Sequence, residues 1–289
     1  MGIITLSQAV ERFAAVTQAA DGADLARPWA WGDYDSEGVR FAFFRTYEEL
    51  CELAVKIGVE RARLGQGATS AQRILAYYHA AVRELQAALL ELSPEDLDRA
   101  PASGEWPVHQ VLAHIIGADV GFYVAIRFAL DRRRSGESKP TKIPAEAWDE
   151  LIGLDEQAFN AIMAGPLSDL ISYWRLFHER ILGDFADTSE QELETQSMYW
   201  ENQPLSVRFR LGRFDSHLRQ HAVQIDKALI GIGQPPTEAK RLLRLVFSAL
   251  GEVEGAGISA PEVGARWRHD AAQAIWARAE EMGGILTQS

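Results

Sequence analysis

Apolar residues recur at spacings of three and four through four long stretches of this 289-residue chain, and no comparable stretch alternates with a period of two. That pattern admits helices and excludes a sheet protein, because only a 3.6-residue turn brings positions three and four apart onto one buried face. The first stretch opens at Thr69-Ser70-Ala71-Gln72, a capping box, and carries Leu75, Tyr78, Val82, Leu85, Leu89 and Leu92. Ser93-Pro94-Glu95-Asp96 then begins a short turn of helix. A second long helix runs from near Glu105-Trp106-Pro107 to about Arg132, with Val111, Ile115, Phe122 and Ala129 inward. The third follows Gly165-Pro166 with Leu170, Trp174, Phe177, Ile181 and Phe185 on one stripe, and the fourth spans roughly 206–231 with Leu211, Phe214, Leu218, Ile225 and Leu229 inward.

Four such helices make an all-α protein with a four-helix bundle, joined by connections long enough for crossovers. Further helices flank the bundle at both ends. The first 68 residues hold an amphipathic opening helix, the aromatic loop RPWAWGDYDSEG and a helix from Val39 to Arg63. Beyond the bundle, 237–255 and 260–283 read as two more helices, the last opened by a second capping box at Ser259-Ala260-Pro261-Glu262. The expected organisation is an amino-terminal extension over 1–68, a bundle over 69–235 and a carboxy-terminal extension over 236–289.

Charge and composition narrow the function. A net charge of −12 argues against a nucleic-acid surface, which needs clustered Lys and Arg. The apolar runs look interrupted by charged residues before the roughly 18–20 positions of a membrane span, and MGIITLSQAVERF lacks the pattern of a secretory leader, so a cytoplasmic protein is expected. The single cysteine, Cys51, excludes an intramolecular disulfide and reads as a small packed hydrophobe.

The segment HLRQHAVQI places His217 and His221 four residues apart, one above the other on a helix face bordered by Phe214, Leu218, Ala222 and Ile225. Two neutral imidazoles at an apolar margin need partners, and a shared cation satisfies both; two core histidines bonded to other side chains fit the pair as well. The protease motif is absent, since Leu218 stands where a zincin has its Glu. His114, beside Val111 and Ala118 on the second helix, can supply a third nitrogen across the bundle. Three histidines leave a coordination position open, as catalytic rather than structural zinc sites do. Gly117, Ala118 and Gly121, one and two turns on, either leave room for a ligand or permit close helix packing.

The segments EWPVHQVLAHIIGAD (105–119) and HLRQHAVQID (217–226) together resemble the DinB superfamily, also called the DinB/YfiT-like metalloenzymes, over about residues 70–235. The resemblance implies a four-helix bundle that binds a divalent metal through one histidine of the second helix and the pair on the last, here His114, His217 and His221. It also implies a structural role for Trp106. The family includes transferases and isomerases that use low-molecular-weight thiols such as mycothiol or bacillithiol, and homodimers are common in it.

Other residues are weaker candidates. His109 lies about 140° round the helix from His114, and His79, His178 and His269 have no histidine at ligand spacing. Gln110, Gln220 and Gln224 are candidate partners of the ligands. Arg208, Arg210, Arg213 and Arg219 read as solvated and paired with local acids, with anion binding near the metal as the alternative, while Tyr199, Trp200 and Glu201 are candidates for an entrance.

The expected function is therefore a Zn²⁺- or Ni²⁺-dependent enzyme acting on a small-molecule substrate, with a thiol at the open position for S-transfer to an electrophile. The alternatives are a metal-dependent hydrolase, a non-catalytic metal-binding or stress-related protein, and a metal-free helical scaffold.

Overall fold

The computed structural model describes residues 4–90, 92–137 and 139–287. In chain order its helices are α1 (Leu6–Thr17), α2 (Gly22–Leu25), α3 (Val39–Arg63), α4 (Ser70–Ala88), α5 (Pro94–Asp98), α6 (Val108–Arg134), α7 (Ala145–Ile152), α8 (Glu156–Met163), α9 (Leu167–Phe185) and α10 (Glu190–Leu193). A two-residue antiparallel ribbon follows, β1 (Gln196–Ser197) with β2 (Leu205–Ser206), and then α11 (Val207–Gly231), α12 (Glu238–Ala256) and α13 (Ala265–Leu286). The protein is all-α, as its periodicity requires.

The helix starts follow local chemistry. Thr69 and Gln72 exchange hydrogen bonds, each backbone N–H donating to the other's side chain, and this box opens α4. Ser93 caps α5, with Pro94 in its first turn. Ser206 Oγ accepts from Phe209 N and starts α11. One expectation fails. The last helix begins at Ala265 behind Gly264, not at the box Ser259–Glu262. Residues 257–259 and 261–264 form turns, so the box opens no helix there; Ser259 and the actual N-cap, Gly264, both have a left-handed backbone, with φ of +60° and +75°. Helices α7 and α8 and the ribbon were not expected either; α8 is capped by Asp155, whose Oδ1 accepts from Ala158 N.

The chain forms two compact units. The first takes residues up to 68, 79–92 and those from 234 on. In it α1 lies along α13 and α3 along α12, around a core that includes Val10, Phe13, Phe43, Leu50, Phe247 and Ile275. Cys51 is half-buried against that core. Several ion pairs stitch the helices together, among them those of Arg83 and Arg278. Arg83 grips Glu254 with two nitrogens at 2.7 Å, and Arg278 donates to Thr46 Oγ1 at 2.8 Å and Glu49 Oε1 at 2.9 Å.

The second unit takes residues 69–78 and 93–233 and contains the histidines of interest. Its bundle consists of the first turns of α4 with α6, α9 and α11, and α6 packs most extensively on α11. The interior is aromatic: Phe214 meets Tyr78 at 5.1 Å and Phe122 at 5.8 Å, while Tyr123 packs on Phe177 and Phe185 at 5.1 and 5.3 Å. Contrary to expectation, α6 is long and apolar enough to cross a membrane, with a mean hydropathy of 1.5 over its best window. Of that window 67% is buried within the protein, which makes α6 a core helix.

Candidate metal centre

Helix periodicity brings His217 and His221 onto one face of α11, and packing of α6 on α11 sets His114 against them. The facing Nε2 atoms of His217 and His221 are 3.1 Å apart. The His114 ring lies 5.1 Å from that of His217 and 4.6 Å from that of His221, and one nitrogen from each of the three lies within 4.8 Å of the others. The pair is buried, at 7% and 8% exposure, whereas His114 is exposed. The cluster thus has a closed inner side and an open outer one.

The surroundings disfavour the charged forms of His217 and His114. Burial, followed by the fields of His221, His114 and Arg213, pushes the pKa of His217 down to about 3. Burial and then His221 lower that of His114. Gln224 Oε1 sits 2.8 Å from His221 Nδ1 and accepts a hydrogen bond from its N–H, which turns Nε2 toward His217. The edge of Phe122 covers the inner side of His217 at 5.6 Å, and Trp106 packs on His114 at 5.2 Å. A cavity of about 330 Å³ opens beside His221, walled by Glu105, Trp106, Gln224 and Lys227.

Of the three glutamines, only Gln224 joins the cluster; Gln110 and Gln220 are exposed. His109 binds Asp98 at 2.8 Å, His79 binds Glu254 at 2.8 Å, and His178 packs edge-on to Tyr78. His269 belongs to the first unit. Arg208 pairs with Glu190 and Glu194, and Arg219 with Asp215, as solvated side chains do. Arg210 departs from that expectation, for it is fully buried and held by Glu201 and Ser197. This clasp fixes the segment carrying Tyr199, whose hydroxyl fills the space left by the missing side chain of Gly121. Gly121 therefore serves packing, while the position of a side chain at Gly117 is open.

One buried acid escaped sequence reading. Asp119 on α6 is fully buried and accepts from Tyr78 Oη at 2.6 Å and Trp174 Nε1 at 3.3 Å through Oδ2, while Oδ1 makes no hydrogen bond. Burial pushes its pKa up to about 7, against the lowering effect of those two donors. Its signal in the sequence is an acid on the apolar stripe, one turn beyond Ile115.

The sequence pattern of the DinB superfamily matches residues 77–225, which spans α6, α9 and α11 and all three histidines. The chain belongs to the DinB superfamily. A relative from Oceanobacillus iheyensis, provisionally named a metal-dependent hydrolase, is 24% identical over 143 residues, covering 50% of this chain and 76% of the relative. Among solved structures, that of YfiT from Bacillus subtilis, described as a probable metal-dependent hydrolase with an unusual four-helix bundle topology, is 19% identical. It covers 55% of this chain and 85% of its own, with a TM-score of 0.41.

Proposed function

We propose that this DinB protein is a metalloenzyme in which His114, His217 and His221 hold one divalent cation, zinc or nickel, and a low-molecular-weight thiol enters from the open side for S-transfer to a small electrophile. The observation that carries the metal site is the convergence of three imidazole nitrogens within 4.8 Å. The donor set fits such an ion: burial disfavours protonation of His217, His221 is oriented by Gln224, and imidazole suits zinc and nickel alike. A divalent cation with one position open lowers the pKa of a thiol or water that binds there.

The protein's own groups divide the remaining work. Phe122 and the buried pair exclude water from the inner side. Exposed His114 and the cavity beside His221 leave the outer side accessible to a small molecule. Trp106, Glu105, Gln224 and Lys227 offer that molecule an aromatic face, an amide and both signs of charge, which suits a polar thiol better than an apolar ester.

Hydrolysis is the second reading, favoured by the name given to the Oceanobacillus relative. It uses the same three ligands with water in place of thiol. The deciding experiment loads the untagged protein with zinc or nickel and screens thiols with model electrophiles against ester and amide substrates. Turnover that requires thiol supports the proposal, thiol-independent hydrolysis selects the second reading, and a bound metal without either activity indicates a non-catalytic metal protein.

A further inference from the structure

We infer that the cavity beside His221 recognises a zwitterion, a small molecule that carries a carboxylate and an ammonium group close together, as an amino acid or a cysteine-type thiol does. The inference deepens the metal-site proposal, because it names what occupies the outer side of that site.

The cavity wall carries one side chain of each charge. Glu105 comes from the turn before α6 and Lys227 from near the end of α11, and Lys227 Nζ donates to Glu105 Oε1 at 2.9 Å. Both side chains are well exposed, at 71% for Lys227 and 41% for Glu105. Exposed pairs of this kind contribute little and exchange partners at little cost. A ligand carboxylate can take the place of Glu105 at Lys227 while the ligand ammonium takes the place of Lys227 at Glu105. Both protein charges are paired before and after that exchange. A ligand with only one of the two charges satisfies one residue and strands the other, so the wall discriminates by charge pattern as well as by charge.

Two further groups favour the same ligand. Trp106 lines the cavity with an indole, a ring that attracts an ammonium group, and Gln224 adds an amide at the wall. His221 also lines the cavity, so a molecule seated between Lys227 and Glu105 borders the imidazole cluster. The volume of about 330 Å³ accommodates such a head group together with a short side chain directed at the cluster.

The test uses the full-length protein loaded with cobalt(II) and titrated with L-cysteine, cysteamine and 3-mercaptopropionate, which carry both charges, only the ammonium and only the carboxylate. The sulfur-to-cobalt absorption band reports binding. L-cysteine is expected to half-saturate at a concentration about fivefold below that of either singly charged thiol, the size of effect one exposed charge pair supports. Lys227→Met should abolish the preference over cysteamine, and Glu105→Gln the preference over 3-mercaptopropionate, with cobalt uptake unchanged. Equal affinities for the three thiols, or a ranking that neither substitution alters, overturn the inference. If the protein takes up no cobalt, the metal site itself fails, and calorimetric titration of the metal-free protein with the same three compounds and variants decides the zwitterion question by the same ranking.

Discussion

His217 and His221 face each other through Nε2 at 3.1 Å on successive turns of α11, with Gln224 accepting from the far nitrogen of His221. An ion that binds imidazole nitrogen at about 2.0–2.1 Å can reach both facing atoms. Elemental analysis of the untagged protein should find about one equivalent of zinc or nickel, lost in folded His217→Ala and His221→Ala. His114→Ala, which removes the exposed member of the cluster, should weaken retention of the metal without abolishing uptake. No metal in the wild type after incubation with zinc and nickel would sink the metal site.

Gln224 orients His221 and also lines the cavity beside it. Gln224→Ala should therefore reduce metal affinity by about 10- to 100-fold while stoichiometry at saturation stays the same. Competition with a chromophoric chelator measures this. An unchanged affinity would mean that the amide contact does not fix the ring.

The pH dependence of the metal-free protein has a definite sign. His217 titrates near 3 when folded and near 6.5 when unfolded, so between those values the unfolded chain binds the extra proton. The contribution of His217 is complete above about pH 6.5 and declines as pH falls toward 3. Urea midpoints of wild type and His217→Asn, compared at pH 7.5 and 5, should show a larger loss on acidification in the wild type. Zinc added at pH 7.5 should raise the wild-type midpoint more than that of His217→Asn, by binding the folded state.

Asp119 works in the opposite direction. Its folded pKa of about 7 lies above the usual carboxylate value of about 3.9, so folding retains a proton that the unfolded chain releases. The protonated core is favoured at low pH, and the advantage disappears as pH rises from about 4 through 7. Asp119→Asn keeps the shape and cannot ionise. Its stability relative to wild type should improve as pH goes from 5 to 8, in the same urea experiment.

Gly121 admits Tyr199. A Cβ there would lie 1.9 Å from the phenol oxygen, so Gly121→Ala must displace the ring at a cost of about 1–3 kcal/mol. Tyr199→Phe removes the nearest atom, and the double variant should recover part of that loss in a double-mutant cycle. Simple additivity would show that the ring moves aside freely.

The features legible in the sequence are those encoded within a few residues. Thr69 with Gln72, Gly165-Pro166 before α9 and the pair His217 and His221 are local patterns, and Gln224 is one turn from its partner. His114 is 103 positions from His217; its neighbours Val111 and Ala118 put it at the margin of the inward stripe of its helix, and the family resemblance joins it to the pair. Other features depend on distant contacts. Nothing near Arg210 announces that Glu201 and Ser197 will enclose it, and Gly121 does not reveal that Tyr199 will fill its place. The capping pattern at Ser259–Glu262 is local too, yet the residues after it turn and α13 begins only behind Gly264.

The pairing of α1 with α13 joins Arg12 to Glu280 across 268 residues. During synthesis, at about 5–20 residues per second, the apolar stripe of α1 with Val10 and Phe13 emerges on the order of ten seconds or more before the helix that will cover it. The segment that supplies α6, α9 and α11 is finished earlier, so the histidine cluster can assemble on the nascent chain while the opening helix still waits for its partner.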